Sequence, residues 1–284
     1  MSLRPAFSTT ACPEWTLEQV AAAAARYEFA GVELRSFGHG ATNIACDPGL
    51  TNGQKVDRIF GRAGVGICGV ASGARLDPQV FPPVVGNLRI FNPHKALNDA
   101  KHYVDLAHDI GADGMRVYGF RLSPREFRSV GRQRVVDRLS KVCDHARNRD
   151  VFVFIENGGS FPYASDLADL IERVDSPLLK ASYDTATGAA VDECPEEAAR
   201  ILGTKLAVAR ISDHADGTPA RLGAGEVPNE AFVRALPSNC DAWLVYEWNR
   251  IWTPELAGPD EVLPDVARTL YDWASNTGSA SDAA

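Results

Sequence analysis

The 284-residue sequence predicts a single-domain (β/α)8 barrel, and three observations carry that expectation. Short β-rich runs alternate with longer amphipathic stretches about eight times, the pattern of a parallel sheet joined by crossover helices. The length suits a closed eight-stranded barrel of roughly 250 residues. No linker-like stretch divides the chain, and an open sheet of the same strands would leave its two ends unpaired.

The predicted strands are 5–11 (PAFSTTA), 31–36 (GVELRS), 65–72 (VGICGVAS), 113–119 (DGMRVYG), 151–157 (VFVFIEN), 178–184 (LLKASYD), 206–212 (LAVARIS) and 242–248 (AWLVYEW). Helix-start signals stand between them. They are Thr16 before LEQVAAAAARYEF, Asn98 after a Pro-containing loop, and Ser123 followed by Pro124 and Glu126. Residues 228–236 and 261–275 supply the last two helices. The barrel is thus assigned to 1–275, and 276–284 is expected to be a disordered C-terminal tail, because it is small and polar. About thirty residues separate the second and third strands, and about forty the third and fourth. These excursions (SFGHGATNIACDPGLTNG and RLDPQVFPPVVGNLRIFNPHK) are rich in Gly, Pro and Asn and are expected to form a lid over a site.

A formal net charge of -8 and a pI near 5.3 weigh against a phosphate-neutralising surface, so no nucleic-acid partner is expected. The N-terminal MSLRPAFSTTAC lacks a signal-peptide layout, and no apolar run approaches the roughly 20 residues that span a bilayer. A cytoplasmic protein without a membrane partner is expected. Six cysteines at 12, 46, 68, 143, 194 and 240 show no CxxC pair or zinc-ribbon spacing, and read as reduced structural residues.

Three hydrophobic runs end in an acid: Glu156 in VFVFIEN, Asp184 in LLKASYD and Glu247 in AWLVYEW. A carboxylate at the edge of an apolar layer is costly unless a cation or hydrogen-bond donors compensate it. In a (β/α)8 barrel these positions fall at the C-terminal strand ends, where active sites lie. Hard divalent cations prefer oxygen ligands, so the three acids suit one Mg2+ or Mn2+ ion, while two of them could instead serve as acid and base. Rim ion pairs with Lys or Arg are the structural alternative.

The seventh strand ends in LAVARISDHADG, presenting Arg210, Asp213 and His214. A guanidinium stays protonated and has no lone pair, so Arg210 cannot ligate a metal. It suits a substrate hydroxyl or anion, or part of a metal's electrophilic role. His214 is a further candidate metal ligand, or a loop residue bonded to Asp213 or Asp216. His39, in the glycine-flanked RSFGHGATN, could place an imidazole over the pocket. Glu33 and Arg35 share a face of the second strand, and either bind substrate or form a rim ion pair. Arg116, inside the barrel, needs a carboxylate partner, and Glu156 on the adjacent strand is the natural one, with substrate contact as a further role. RLGAGEV at 221–227 could offer backbone N–H groups to a phosphate. Trp248 and nearby aromatic residues could stack on a sugar face or pack beneath a partner subunit in a homo-oligomer.

GVELR, IEN, YDT, the ISD-H segment followed by RLGAGEVP, and YEW occur in an order and spacing that resemble the xylose isomerase-like TIM-barrel superfamily, of the sugar phosphate isomerase/epimerase type. The resemblance covers nearly the whole chain. It implies a divalent metal held by Glu, Asp, His and Glu from strands five to eight, with Glu156, Asp184 and Glu247 in three of those slots. The His slot reads Arg210 in Arg210-Ile211-Ser212-Asp213, and a second His expected after the YDT segment is Thr187. It also implies that Glu156 and Glu247 exchange a proton alpha to a carbonyl, with the metal or Arg210 stabilising an enediolate. The expected function is therefore a sugar or keto-sugar isomerase or epimerase acting on a carbohydrate or related polyol. The competing expectations are a lyase or dehydratase, including a glycoside-cleaving one, and a non-catalytic metabolite-binding barrel.

Overall fold

The structure is a computed structural model that describes residues 3–38, 44–78 and 95–275. Its strands are β1 (Arg4–Ser8), β2 (Gly31–Arg35), β3 (Gly66–Arg75), β4 (Gly114–Tyr118), β5 (Phe152–Glu156), β6 (Leu179–Asp184) and β7 (Leu206–Ile211), then β8 (Asp213–Ala215), β9 (Thr218–Ala220) and β10 (Trp243–Tyr246). β1 to β7 and β10 form a closed barrel in which β10 pairs with both β7 and β1, and every barrel pair is parallel. The predicted single-domain (β/α)8 barrel is therefore the fold. β8 and β9 make a separate antiparallel hairpin beyond the mouth of β7.

The helices are α1 (Leu17–Arg26), α2 (Gly53–Ala63), α3 (Lys95–Asp109), α4 (Arg128–Ala146), α5 (Ala164–Val174), α6 (Thr185–Ala189), α7 (Pro195–Leu202), α8 (Asn229–Arg234) and α9 (Pro259–Ser275). Thr16 caps α1 through a capping box with Gln19. The signal at Ser123 closes a turn instead. Ser123 and Glu126 bond one another, Glu126 is held by Arg134, and α4 begins only at Arg128. α3 starts at Lys95, ahead of Asn98. The expected lid includes 39–43 and 79–94, and these segments, with His39 and the tail 276–284, lie outside the described residues. No helix among the described residues is long and apolar enough to cross a membrane. All six cysteines are free, and only Cys194 is exposed.

Side chains alternate across a strand, so every second residue of each barrel strand points inward. The resulting layers differ in polarity. A lower layer of Ala6, Cys68, Phe154, Val208, Trp243 and Val245 forms a small apolar core of its own. Glycines make room for its rings. A Cβ at Gly31 would sit 2.5 Å from the Trp243 ring, and one at Gly114 would sit 2.3 Å from the Phe154 ring. Trp243 also donates its indole N–H to Asp113 at 2.8 Å. Two residues past Phe154, Val208 and Val245 stand Glu156, Arg210 and Glu247, and β2, β4 and β6 bring Glu33, Arg116 and Ser182 beside them.

β3 departs from regular pairing where it meets this second layer. It runs to Arg75 rather than ending at 72, and its register with β4 shifts between Val70 and Ala74. The bulge carries Ser72, whose hydroxyl donates to the Arg116 carbonyl at 2.5 Å and whose own carbonyl faces the Arg116 guanidinium.

Gly114→Ala is expected to destabilise the barrel by about 1–3 kcal/mol in denaturant unfolding, because Phe154 and the Phe152 carbonyl leave no space for a methyl group. An unchanged midpoint would contradict this packing.

Candidate active site

Arg210 lies at the centre of the charged layer, with its side chain only 2% exposed. Its Nη1 donates to Glu33 Oε1 at 2.9 Å and Oε2 at 2.8 Å, and its Nη2 donates to Oε2 at 2.6 Å. Its Nε stands 3.0 Å from Glu156 Oε2 and 3.1 Å from Glu247 Oε2. These last contacts are between charges, since the Nε–H is aligned with neither acceptor. Glu156 also receives Arg116 Nη1 at 3.1 Å and the Ser182 hydroxyl at 3.1 Å. The Arg116–Glu156 pair expected from adjacent strands is therefore present.

The environment separates the acids. Burial pushes Glu156 up, but Arg116 and Arg210 together outweigh it and hold this carboxyl below the ordinary glutamate value. Burial raises Glu33 against the opposing pull of Arg210. Three guanidinium contacts of 2.9 Å or less still require an ionised acceptor, so Glu33 and Arg210 form an ion pair at neutral pH. Asp184 is raised to about 6, first by burial and then by the charges of Glu156 and Glu247. It caps α6, accepting the N–H groups of Ala186 and Thr187 at 3.0 and 3.4 Å and the Thr187 hydroxyl at 3.0 Å. Asn157 fixes the chain there by accepting Asp184 N–H at 2.7 Å and donating to the Asp184 carbonyl at 3.1 Å. Glu247 is the most open of the carboxylates around Arg210, 17% exposed against 5% for Glu33 and Glu156.

Several expected residues lie elsewhere. Trp248 is buried, donates its indole N–H to the Ala257 carbonyl at 2.9 Å and stacks with Tyr246, so it packs behind the barrel instead of facing a substrate. Alternation explains this, because Glu247 takes the inward position and its neighbour must turn out. His214 sits on the β8–β9 hairpin opposite Pro219, and no contact joins its side chain to the carboxylates among the described residues. The glycine-rich loop does wrap an anion, but that anion is Asp213. Its carboxylate accepts the N–H groups of His214, Gly223, Gly225 and Val227 at 2.9–3.2 Å, which leaves none of these donors for a phosphate.

A divalent metal does not fit this donor set. The carboxylates that would surround it already surround a guanidinium, and Asp184 is engaged by the N-terminus of α6. Among the described residues no group of three or more His, Cys, Asp or Glu side chains is arranged to hold a metal ion. Mn2+ or Mg2+ on Glu156, Asp184 and Glu247, with His214 as a further candidate ligand, is the expectation from sequence, and the described residues show no such arrangement. The physical reason is that a fixed cation has taken the central position.

The sequence left Glu33 and Arg35 either to bind substrate or to form a rim ion pair, whereas the partner of Glu33 is Arg210, 177 residues away and across the barrel. The inward phase of GVELR signals that Glu33 is interior. Nothing in local spacing names the cation it meets.

No curated protein sequence is significantly similar to the chain. Solved structures share its fold at low identity. An L-ribulose 3-epimerase superposes with a TM-score of 0.75 at 15% identity, over 98% of this chain and 99% of its own. The probable 3-DHS dehydratase AsbF, involved in petrobactin synthesis in Bacillus anthracis, gives 0.73 at 15%, over 95% and 99%. A fusion of a xylose isomerase-like TIM barrel with a 4-hydroxyphenylpyruvate dioxygenase gives 0.73 at 16%, and this chain covers 99% of itself but 46% of that longer protein. The family described as xylose isomerase-like TIM barrel matches residues 21–272, nearly all of the closed barrel, and the chain belongs to that family.

Proposed function

We propose that this protein is an enzyme that moves a proton on a carbon beside a carbonyl, as a sugar or keto-sugar isomerase or epimerase, with Arg210 supplying the positive charge. The observation that carries the proposal is the buried guanidinium held among three carboxylates at the C-terminal ends of the strands. Removing a proton alpha to a carbonyl creates an enediolate, and a fixed cation in a dry site lowers the energy of that anion. Glu247, the most exposed of the three, is assigned as the base. Asp184, raised to about 6, is assigned as the second proton carrier, because a pKa near the working pH lets a carboxyl both give and take a proton. Glu156 is expected from the sequence to share the proton transfer. Its depressed pKa and its two arginine partners favour a different role, fixing Arg116 and Arg210 in place. The structural likeness to a sugar epimerase supports a carbohydrate substrate.

The likeness to a dehydratase supports a second reading, elimination. There the same enolate would expel a β-hydroxyl, and Asp184 in its protonated form would supply the proton that leaves with it as water.

The test is to incubate chelator-treated protein with ketoses in deuterated water and follow the products by NMR. The expected outcome is a new epimer or isomer carrying deuterium at the reacting carbon, whereas loss of water would select elimination. Activity is expected to be the same with EDTA and with added Mn2+. Loss of activity with chelator and its return with metal would overturn the role given to Arg210. Glu247→Gln is expected to lower kcat by about 10²–10⁴ in the same assay.

Asp184 also sets a pH dependence. With Glu247 as the base, Asp184 returns the proton and must be protonated, so kcat is expected to fall through pH about 6, and Asp184→Asn should abolish that limb. The stability effect has a definite sign. The folded-state pKa of about 6 exceeds the ordinary 3.8, so the folded form holds the proton more tightly. The favourable contribution is complete below about 3.8 and is lost as pH rises to about 6. Wild-type stability should therefore fall relative to Asp184→Asn across that window in denaturant titrations.

A further inference from the structure

Arg35 follows Glu33 by two residues on the inward face of β2, about 6.7 Å further toward the barrel mouth. Among the described residues it makes no ion pair with an acid, whereas Arg116 and Arg210 pair with carboxylates. Its sequence neighbour Glu33 is committed to Arg210 through both oxygens. Arg35 Nη1 donates to the carbonyls of Ala71 and Ser72, each at 3.2 Å. Its Nε is buried without an acceptor, and its Nη2 has no acceptor among the described residues. The guanidinium lies over the Phe37 ring, 4.6 Å from its centroid. Burial, then the nearby charges of Arg116 and others, press against its protonated form. A half-buried cation kept in this state costs stability unless something returns the missing negative charge.

The space beside it can receive such a group. A cavity of about 500 Å3 is lined by Arg35, Gly38, Gly73, Lys95, Asp99 and Tyr103, among others. A Cβ at Gly73 would stand 3.7 Å from Arg35 Nη2, so glycine leaves that side of the guanidinium open. Lys95 and Asp99 offset one another in charge, so Arg35 decides the sign of this wall.

We propose that Arg35 is an anion-binding residue of the substrate pocket and that the substrate carries a carboxylate or phosphate group, seated at Arg35 while the reacting carbon faces Arg210 and Glu247. The identification of this ligand as the substrate rests on the proton-transfer reading above, but the anion subsite does not. A guanidinium suits both oxyanions, because their oxygens match its planar N–H groups. Tight binding of the anionic end would then position the chain of the substrate over the charged layer.

The carbonyls bound by Arg35 keep other donors. Ala71 O accepts Ser36 N at 3.2 Å, and Ser72 O faces Arg116 at 3.4 Å. Arg35→Met is therefore expected to fold with a melting temperature equal to or above that of wild type, which a purely structural arginine would not allow.

The test is calorimetric titration of wild type, Arg35→Met and Arg35→Lys with inorganic phosphate, acetate, a neutral ketopentose, its terminal phosphate ester and a sugar acid of the same chain length. The expected result is that a charged sugar binds wild type at least about tenfold more tightly than the neutral one, that Arg35→Met abolishes the difference, and that Arg35→Lys restores part of it. Preference for the ester or for the acid identifies the anion. Equal binding of charged and neutral sugars, or a preference that survives Arg35→Met, overturns the proposal. If no sugar binds but inorganic phosphate or acetate binds only when Arg35 is present, the carbohydrate reading fails and the anion subsite stands. If no charged probe depends on Arg35, the subsite fails whatever the turnover assay shows.

Discussion

A buried guanidinium among buried carboxylates is the constraint around which the mouth of this barrel is arranged. Arg210 is nearly inaccessible to solvent and cannot lose its proton, so its charge must be balanced within the protein. Glu33 from β2 supplies the closest balance, and Glu156 from β5 and Glu247 after β10 supply the rest. The four residues come from widely separated parts of the chain, and their mutual attraction ties opposite walls of the barrel together. Removing any one would leave a buried charge without its partner, a larger loss than the pair itself contributes. The reliance on a fixed charge also distinguishes this centre from one built on an exchangeable ion. A guanidinium brings donors with set directions and holds its charge at every physiological pH.

The barrel achieves this by separating polarity along its axis. The lower layer is apolar and tightly packed, with Trp243 and Phe154 resting where glycines leave room. The next inward positions carry charge, and the bulge in β3 turns the Ser72 carbonyl toward Arg116. The apolar floor keeps water from reaching the ion pairs from below. Low local polarity then strengthens every interaction above it and separates the acids, depressing Glu156 and raising Asp184.

A similar economy governs the loop after β7. Its glycines and backbone N–H groups have the character of an anion cradle, and the chain fills that cradle with its own Asp213. A Cβ at Gly225 would lie 2.1 Å from the Asp213 carboxylate, which explains why glycine is needed there. Arg35 presents the complementary case, a donor for which the described residues provide no acid.

The sequence by itself determined the barrel, because strand alternation and helix periodicity are local patterns and eight of them leave few ways to bury an apolar face. All eight predicted strands fall where barrel strands are found, with ends shifted at Ser8 and at Arg75. It also determined that Glu156, Asp184 and Glu247 stand at strand ends, and the period of two implied that Arg116 would meet Glu156 on the neighbouring strand. Only the tertiary structure decided what fills the space between the acids. Closure of the barrel brings Glu33 to Arg210 across 177 residues, a contact that no local spacing encodes. The structure likewise leaves His214 on a hairpin away from the acids, whereas the outward turn of Trp248 follows from alternation beside Glu247. The physical reason is that residue type and spacing fix which face a side chain occupies, whereas the partner of a buried charge depends on which faces the closed barrel brings together.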